Sequence, residues 1–256
     1  MSEARAIVFA GGGTGGHLFP SLAIAEQLRS KRGDDIAIHF ACSAKPFDRE
    51  LLERRGEAFT PLHVVGLASN PLGWPRFAVR YWQAKRAARR LLGETRAGCV
   101  VAMGGYVSAP VAAAARSLGV PVLLVNLDAV AGKANRRLAH KADRVYSTFD
   151  SPGLPGTFRM VGFPLRSDAV CDVSQVEARQ ALRLASEKLT LLVTGASQGA
   201  QTINQAMIDL AQRDWPEAMG DWQVLHLAGR GNADAVAQAY EGAGIAGRVI
   251  EFLDGM

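Results

Sequence analysis

The sequence predicts an α/β protein that contains two doubly wound parallel sheets, one after the other along the chain. Short apolar segments alternate with segments of helical periodicity, and several of the short segments end in glycine. The alternation stops in a stretch rich in proline and glycine at 151–167 and then restarts. Because parallel strands need a crossover between them, this order favours two helix-covered sheets joined by a linker.

The first predicted domain covers residues 1–164. Its strands are expected at Ala6–Ala10, Ile36–Cys42, Cys99–Met103, Val120–Val125 and Arg144–Ser147. Its helices are expected at Pro20–Ser30, Phe47–Arg55, Ala78–Leu92, Pro110–Leu118 and Gly132–Ala142. The first helix illustrates the reasoning, because Leu22, Ala25 and Leu28 recur at helical spacing and form one apolar face.

The second predicted domain covers residues 165–256 and repeats the pattern. Strands are expected at Leu189–Thr194, Trp222–Leu227 and Arg248–Phe252, and helices at Ala200–Gln212 and Ala233–Tyr240. A sheet with so few strands buries little core. We therefore expect this second domain to be incomplete, cut short at Met256.

Composition and charge narrow the classes of partner. Apolar residues make up 48% of the chain and charged residues 21%, which is typical of globular proteins. Residues 1–165 contain 22 Lys and Arg against 12 Asp and Glu, whereas residues 166–256 contain 7 against 12. The basic half predicts an anionic partner: nucleic acid, a membrane surface or a phosphorylated substrate. Three scattered cysteines, Cys42, Cys99 and Cys171, favour a reducing cytoplasm over disulfide pairing.

Three glycine-rich turns follow predicted strands, at Gly11–Gly16, Gly104–Gly105 and Gly195–Gly199. Such a turn before a helix can bind a phosphate through backbone N–H groups, although a tight turn also needs glycine for its own geometry. The first turn matches the Gly-x-Gly-x-x-Gly dinucleotide pattern, but the second strand ends without the acidic residue that would hold a ribose. This disfavours a dehydrogenase, and the absence of Gly-Lys-Ser/Thr excludes a P-loop.

His17 is the strongest catalytic candidate. It ends the first glycine turn at the entrance to a helix, where the positive helix end keeps an imidazole neutral and able to act as a general base. The alternative is a histidine that only packs in the turn. The other four histidines have no partners at metal-ligand spacing, so we expect no metal and no cofactor.

The glycine turns with their flanking residues resemble a known family. Residues 11–20, residues 103–110, and residues 195–200 with Asn204 are similar to the three signature loops of the MurG glycosyltransferases. Residues 131–135, 162–166 and 252–254 follow in the family's order, so the resemblance covers nearly the whole chain.

The resemblance implies the GT-B fold, in which two Rossmann-like domains hold acceptor and donor, and an inverting transfer of N-acetylglucosamine from UDP-N-acetylglucosamine to undecaprenyl-pyrophosphoryl-MurNAc-pentapeptide. It implies that His17 is the catalytic base. The implied acceptor-binding residues are Gly13, Thr14, His17, Gly104, Gly105, Tyr106, Ser108, Asp128 and Asn135. The implied donor-binding residues are Thr14, Gly15, Gly16, Arg166, Gly195, Ser197, Gln198, Gly199, Asn204 and Leu253.

The chain departs from the family in two respects. The family usually has His-Glu-Gln-Asn where this chain has Val125, Asn126, Leu127 and Asp128, and it continues for about another hundred residues that hold the donor's ribose and sugar. We therefore expect this chain alone to bind donor weakly or not at all. Two alternatives remain: a GT-B transferase with another acceptor, or a non-catalytic membrane-bound acceptor module that needs a separate donor subunit.

A basic aromatic segment at 72–90 predicts contact with an anionic membrane surface. Large apolar and cationic residues alternate there, notably Trp74, Phe77, Arg80, Trp82 and Arg86. The alternatives are an ordinary amphipathic helix with solvated charges, or RNA, although no recognised nucleic-acid motif accompanies the segment. We expect a peripheral protein on the cytoplasmic face of the bacterial membrane that binds no nucleic acid.

Overall fold

The computed structural model describes residues 5–33, 36–66, 73–170, 172–195, 199–215 and 219–251. The chain forms two compact units, Met1–Ser167 and Asp168–Met256. The boundary that the sequence predicts lies three residues earlier, between Pro164 and Leu165.

The first unit contains one parallel sheet of seven strands in the order β3-β2-β1-β4-β5-β6-β7. The strands are β1 Ile7–Ala10, β2 Ile38–Ser43, β3 Phe59–Leu62, β4 Cys99–Ala102, β5 Val122–Asn126, β6 Arg144–Ser147 and β7 Arg159–Met160. β1 pairs with β2 on one side and with β4 on the other, so the strand order reverses there. Ligands of doubly wound sheets bind at the carboxyl ends of the strands beside such a reversal.

Two strands at the edges were not predicted. β3 is short and contains Pro61, which cannot donate a ladder hydrogen bond and is tolerated because the strand lies at the edge. β7 pairs with β6 through Ser147 and Met160, so the predicted linker over 151–167 contains a short strand. A two-residue strand among prolines and glycines carries no periodic signal.

Five helices cover the first sheet. They are α1 Gly15–Arg32, α2 Pro46–Arg54, α3 Trp74–Glu94, α4 Gly105–Ser117 and α5 Lys133–Ala139. α1 and α4 begin inside the glycine turns, so the predicted starts at Pro20 and Pro110 are wrong. Each proline lies within its helix, where it removes one N–H from the helical ladder, and the glycine turn rather than the proline sets the start. None of the described helices is long and apolar enough to span a membrane.

The core lies on both faces of this sheet, as a doubly wound arrangement requires. Val8 and Ala10 of β1 pack in a cluster with residues of α3, α4 and α5. Phe9, which lies between them, packs in a second cluster with Leu22 of α1 and Leu52 of α2. Successive residues of a strand point to opposite faces, so a strand that is apolar throughout is buried on both sides.

The second unit contains a parallel sheet of three strands in the order β10-β9-β8. The strands are β8 Leu189–Thr194, β9 Trp222–Leu227 and β10 Gly247–Ile250, and the helices are α6 Gln175–Ala181, α7 Gln201–Asp214 and α8 Ala233–Gly242. α6 was not predicted, although Ser174 and Glu177 form a capping box that the sequence spacing could have indicated. A short 3-10 helix lies at Ser167–Ala169.

A buried polar chain joins α7, β9 and α8 in this second unit. The Asn204 amide donates to the Ala228 carbonyl at 2.8 Å, which leaves its oxygen to accept from His226 Nε2 at 3.1 Å. His226 Nδ1 lies 2.8 Å from the Tyr240 hydroxyl, which must then be the donor. His226 is fully buried, and these partners assign the proton of a neutral ring to Nε2, because the Asn204 oxygen can only accept.

This network predicts a pH dependence of stability. Burial lowers the pKa of His226, so the folded chain resists protonation of this ring, whereas the unfolded chain takes up the proton near pH 6.5. The contribution of the neutral His226 ring to the free energy of unfolding is therefore full above about pH 6.5, and it is lost as the pH falls below that value. In urea unfolding followed by tryptophan fluorescence, we expect wild-type stability to fall more steeply on acidification than that of His226→Gln.

The exposed His63 supplies the matched control, because His63→Gln also removes one histidine. The free energy of unfolding of His63→Gln should have the same pH dependence as that of the wild type. Equal slopes for wild type and His226→Gln would contradict the neutral buried ring.

Candidate functional site

The carboxyl ends of β1 and β4 bring two glycine turns into contact. We call residues 11–16 loop one and residues 103–105 loop two. The Gly11 N–H donates to the Ala41 carbonyl at 3.1 Å, and the Met103 N–H donates to the Ala10 carbonyl at 2.9 Å. Both loops therefore begin as continuations of the sheet, and their positions follow from its register.

The glycines in these loops serve close packing. A methyl group added to Gly13 would lie 2.5 Å from the Tyr106 hydroxyl, and one added to Gly105 would lie 3.1 Å from His17 Nε2. Gly13 and Gly105 also have positive φ angles of 86° and 73°, which disfavour any side chain. The two loops thus interlock, with Tyr106 of loop two's helix against loop one and His17 against loop two.

His17 is the third residue of α1 and is half-buried. Its pKa is lowered from the ordinary value chiefly because burial disfavours the charged ring. Asp128, a hydrogen bond with the Met103 backbone and Asp48 oppose this and raise the pKa. The neutral ring is the form that a general base requires, and burial supplies a cause for it beside the helix end.

A cavity of about 900 Å³ opens beside His17 in the first unit. Its walls are largely apolar and come from three helices: Phe77 and Tyr81 of α3, Ala109 and Ala113 of α4, and Leu138 of α5. Four cations also line it, namely Arg116, Lys133, Arg137 and Lys141. Among the described lining residues Asp128 is the single carboxylate. The cavity suits an amphiphile that carries both hydrocarbon and negative charge.

Several expected acceptor residues meet in this cavity. His17, Gly105, Tyr106, Asp128 and Asn135 all line it. Gly104 lies directly behind, where an added methyl group would meet the Asn135 amide at 2.9 Å. Thr14 is exposed on loop one and does not line the cavity.

Two expected acceptor residues already use their polar groups in hydrogen bonds within the protein. The buried Ser108 hydroxyl lies 2.6 Å from the carbonyls of Ala10 and Gly104 and accepts from the Gly104 N–H at 3.0 Å. It joins loop two to the end of β1, so its expected contact with a ligand is not supported. The Gly13 N–H donates to Asp48 Oδ2 at 2.7 Å and is not free for a phosphate.

Asn126 lies where this chain departs from the family, and it is the centre of a hydrogen-bond network. Its buried amide donates to the Asp128 carbonyl at 2.8 Å and to the Ser147 hydroxyl at 3.0 Å. Its oxygen accepts from Asn135 at 3.0 Å, while Asn135 Oδ1 is buried without a hydrogen-bond partner among the described residues. This network holds the turn that carries Asp128 to the lip of the cavity.

The expected donor residues of the first unit are less available than expected. Arg166 is only 6% exposed, and its guanidinium lies 4.7 Å above the Phe19 ring, which places it in the packing of α1. Gly15 is buried against the same ring, whereas Gly16 is exposed.

In the second unit, Gly199 packs tightly against the backbone that follows β9. An added methyl group on Gly199 would collide with the Ala228 carbonyl, the acceptor of the Asn204 amide. Asn204 is buried and joins the first turn of α7 to that backbone. Gly195 directly follows the end of β8. Ser197, Gln198 and Leu253, with Cys171, lie outside the described residues.

Metal-ligating side chains do not cluster in the described ranges, where no three His, Cys, Asp or Glu residues lie close enough to hold an ion. Sequence reasoning missed the residues around loop one, above all Asp48 and Lys45. Asp48 follows the end of β2 by five positions and reaches loop one only in the folded chain. The cationic row was detectable, because Lys133, Arg137 and Lys141 recur at intervals of four.

Comparison with known proteins identifies the family. Residues 7–147 match the glycosyltransferase family 28 N-terminal domain, and residues 190–256 match the glycosyltransferase family 28 C-terminal domain. The chain is 36% identical to a UDP-N-acetylglucosamine–N-acetylmuramyl-(pentapeptide) pyrophosphoryl-undecaprenol N-acetylglucosamine transferase of Sorangium cellulosum, covering 97% of this chain and 61% of that protein. It is also 36% identical to the transferase of the same name from Acidithiobacillus ferrooxidans, covering 99% of this chain and 68% of that protein.

Solved structures agree with these matches. The crystal structure of Acinetobacter baumannii MurG superposes with a TM-score of 0.67 at 25% identity and covers 98% of this chain and 69% of that one. A UDP-GlcNAc 2-epimerase from Neisseria meningitidis, at 12% identity and a TM-score of 0.62, shares the fold alone. The predicted α/β class with Rossmann-like parallel sheets of GT-B type is confirmed, and the chain belongs to glycosyltransferase family 28 and, within it, to the MurG transferases.

Proposed function

We propose that this chain carries the acceptor site and the catalytic base of an inverting N-acetylglucosaminyl transfer in peptidoglycan synthesis. The donor is UDP-N-acetylglucosamine, and the acceptor is a polyprenyl-pyrophosphate-linked MurNAc-pentapeptide. Family membership and the names of the relatives support this reaction. The observation that carries it is the cavity, which combines a neutral imidazole, a row of cations and an apolar interior.

The charges of the cavity give the acceptor one orientation. The pyrophosphate binds near Lys133 and Arg137, while the first isoprene units lie against Phe77 and Tyr81. Asp128 repels a phosphate from the end of the cavity where His17 lies. The sugar hydroxyl is therefore the part of the acceptor that reaches His17.

In the proposed reaction, the neutral ring of His17 acts as the base. His17 takes the proton from the acceptor hydroxyl as its oxygen forms a bond to the anomeric carbon of N-acetylglucosamine. The bond from that carbon to UDP breaks on the opposite face, so the configuration inverts and UDP leaves with the electron pair. We propose that backbone N–H groups at the start of α7 bind the departing diphosphate without a metal or cofactor.

A second candidate is the same transfer to another lipid-linked sugar. Asn126 and Asp128 favour it, because a buried amide network and a carboxylate stand where the family usually has His-Glu-Gln-Asn. The cavity and His17 serve both candidates equally, and the acceptor that is glycosylated distinguishes them.

The outer face of α3 supports a peripheral position on the cytoplasmic face of a membrane. Trp74 is 55% exposed and Trp82 is 66% exposed, and the Lys85 ammonium lies 5.1 Å from the Trp82 ring centre. Arg86 and Arg89 are exposed on the same helix, whereas Arg80 is half-buried. Tryptophans and cations on one helix suit the headgroup level of an anionic bilayer. Phe77 and Tyr81 line the cavity, so the acceptor's lipid can enter it from that surface.

The proposed reaction is tested with a chimaera that joins residues 1–167 to the C-terminal domain of the Acidithiobacillus ferrooxidans relative. We expect it to transfer labelled N-acetylglucosamine to a short-chain lipid-linked MurNAc-pentapeptide. His17→Ala should lower turnover about 100-fold or more, the usual scale for loss of a general base, and leave donor affinity unchanged. His63→Ala, at an exposed site, is the matched control.

Turnover of His17→Ala within a few-fold of the unmodified chimaera would remove His17 from catalysis. A chimaera that binds UDP-N-acetylglucosamine yet glycosylates only a different lipid-linked sugar would favour the second candidate.

The proposed membrane surface is tested by replacing Arg76, Arg86 and Arg89 with Ser. Each cation near an anionic surface contributes about 1 kcal/mol at most, so the affinity for phosphatidylglycerol vesicles should fall by roughly tenfold to a hundredfold. Co-sedimentation measures this affinity. The control replaces three exposed cations on other helices, Lys31 and Arg32 at the end of α1 and Arg49 of α2, with Ser. An equal fall in both variants would show that net charge alone, and not the α3 surface, drives binding.

A further inference from the structure

A buried carboxylate lies behind loop one. Asp48, in the first turn of α2, is fully buried. Its Oδ2 accepts three hydrogen bonds: from the Gly13 N–H at 2.7 Å, the Ser43 N–H at 2.9 Å and the Ser43 hydroxyl at 2.6 Å. One oxygen thus ties the middle of loop one to the end of β2.

The tie fixes the path of loop one. Gly12 passes so close to Asp48 Oδ2 that an added methyl group would collide with it. From the other side, the Lys45 ammonium donates to the Gly13 carbonyl at 2.8 Å. Both polar groups of the Gly13 backbone are therefore held, one by Lys45 just before α2 and one by Asp48 in its first turn. Since α1 begins at Gly15, the fixed position of Gly13 determines the position of His17 in the first turn of α1.

The hydrogen bonds alone do not require a charge at this position. Asp48 Oδ1 is buried and has no hydrogen-bond partner among the described residues. Asparagine has the same shape and keeps one oxygen, but its amide N–H groups would then be buried at the position of Oδ1. Three donors to Oδ2 offset part of the cost of burying the carboxylate, and its charge also acts electrostatically on titratable groups near it.

That electrostatic role falls on His17. The negative charges of Asp128 and Asp48 raise the pKa of His17 against the effect of burial. The charged and titratable groups that act on the ring or line the cavity beside it come from several elements: Asp48 of α2, Tyr81 of α3, Tyr106 and Arg116 of α4, Asp128 before α5, Lys133 and Arg137 of α5, and Lys141 after it. Asp48 differs from Asp128 because it is sealed from solvent and cannot be displaced by a bound acceptor.

We propose that Asp48 is a positioning residue of the transfer reaction: it fixes loop one to the end of β2, and its buried charge stabilises the imidazolium that His17 becomes. This inference rests on the proposed role of His17 as the base. It assigns Asp48 no contact with substrate. A charge sealed in the protein interior is screened little by water, so it acts on the ring in every step of the reaction.

The test separates the charge from the tie and needs no enzymatic activity. The pKa of His17 is measured by NMR titration of the histidine-labelled 256-residue chain, with the His17 signal identified from its loss in His17→Gln. Asp48→Asn removes the charge and keeps the oxygen, so we expect the pKa of His17 to fall. Asp143→Asn is the matched control. Asp143 accepts the Val122 N–H at 2.8 Å at the amino ends of β5 and β6, and its replacement should leave the pKa of His17 unchanged.

Hydrogen exchange of the Gly13 amide measures the tie. Asp48→Ala removes the acceptor, and we expect this amide to exchange at least about tenfold faster than in the wild type or in Asp48→Asn. Should Asp48→Ala not fold, Asp48→Asn still decides the electrostatic part. An unchanged His17 pKa in Asp48→Asn, or a Gly13 amide equally protected in Asp48→Ala, would overturn the proposal. Failure of the chimaera to transfer sugar would refute the proposed function and leave these two results standing.

Discussion

The contact between two glycine loops at the reversal of strand order is the constraint on which the site depends. β1 and β4 are neighbours in register, so the loops that follow them meet at one edge of the sheet. Gly13 accommodates Tyr106 and Gly105 accommodates His17, each at a distance that a larger residue would prevent. The loops fix one another, and the cavity beside His17 follows from their position.

Much of this arrangement could be predicted from the sequence. An apolar segment followed by glycine predicts β1 and β4 with their turns, and the parallel order predicts that the turns share an edge. The row of Lys133, Arg137 and Lys141 follows from helical spacing alone. These features are local, or they depend on the sheet topology that the local pattern implies.

The remainder depends on tertiary contacts that no local pattern encodes. The family resemblance implies that Ser108 contacts the acceptor, yet its hydroxyl bonds the carbonyl of Ala10, which is 98 positions away. Arg166 similarly packs on Phe19. Asp48 has no sequence signal at all, because its partner Gly13 is 35 positions distant. The acid sought at the end of β2 is absent, and an acid from the next helix reaches the loop backbone instead of a ribose.

We propose that the cavity of the first unit binds a polyprenyl-pyrophosphate acceptor. An amide NMR titration of the 256-residue chain with a short polyprenyl pyrophosphate tests it directly. We expect the shifted amides to cluster around Gly105, Tyr106, Lys133 and Arg137, and an uncharged prenyl alcohol of the same length to shift them much less. Shifts confined to residues 168–256, or equal shifts with the alcohol, would contradict it.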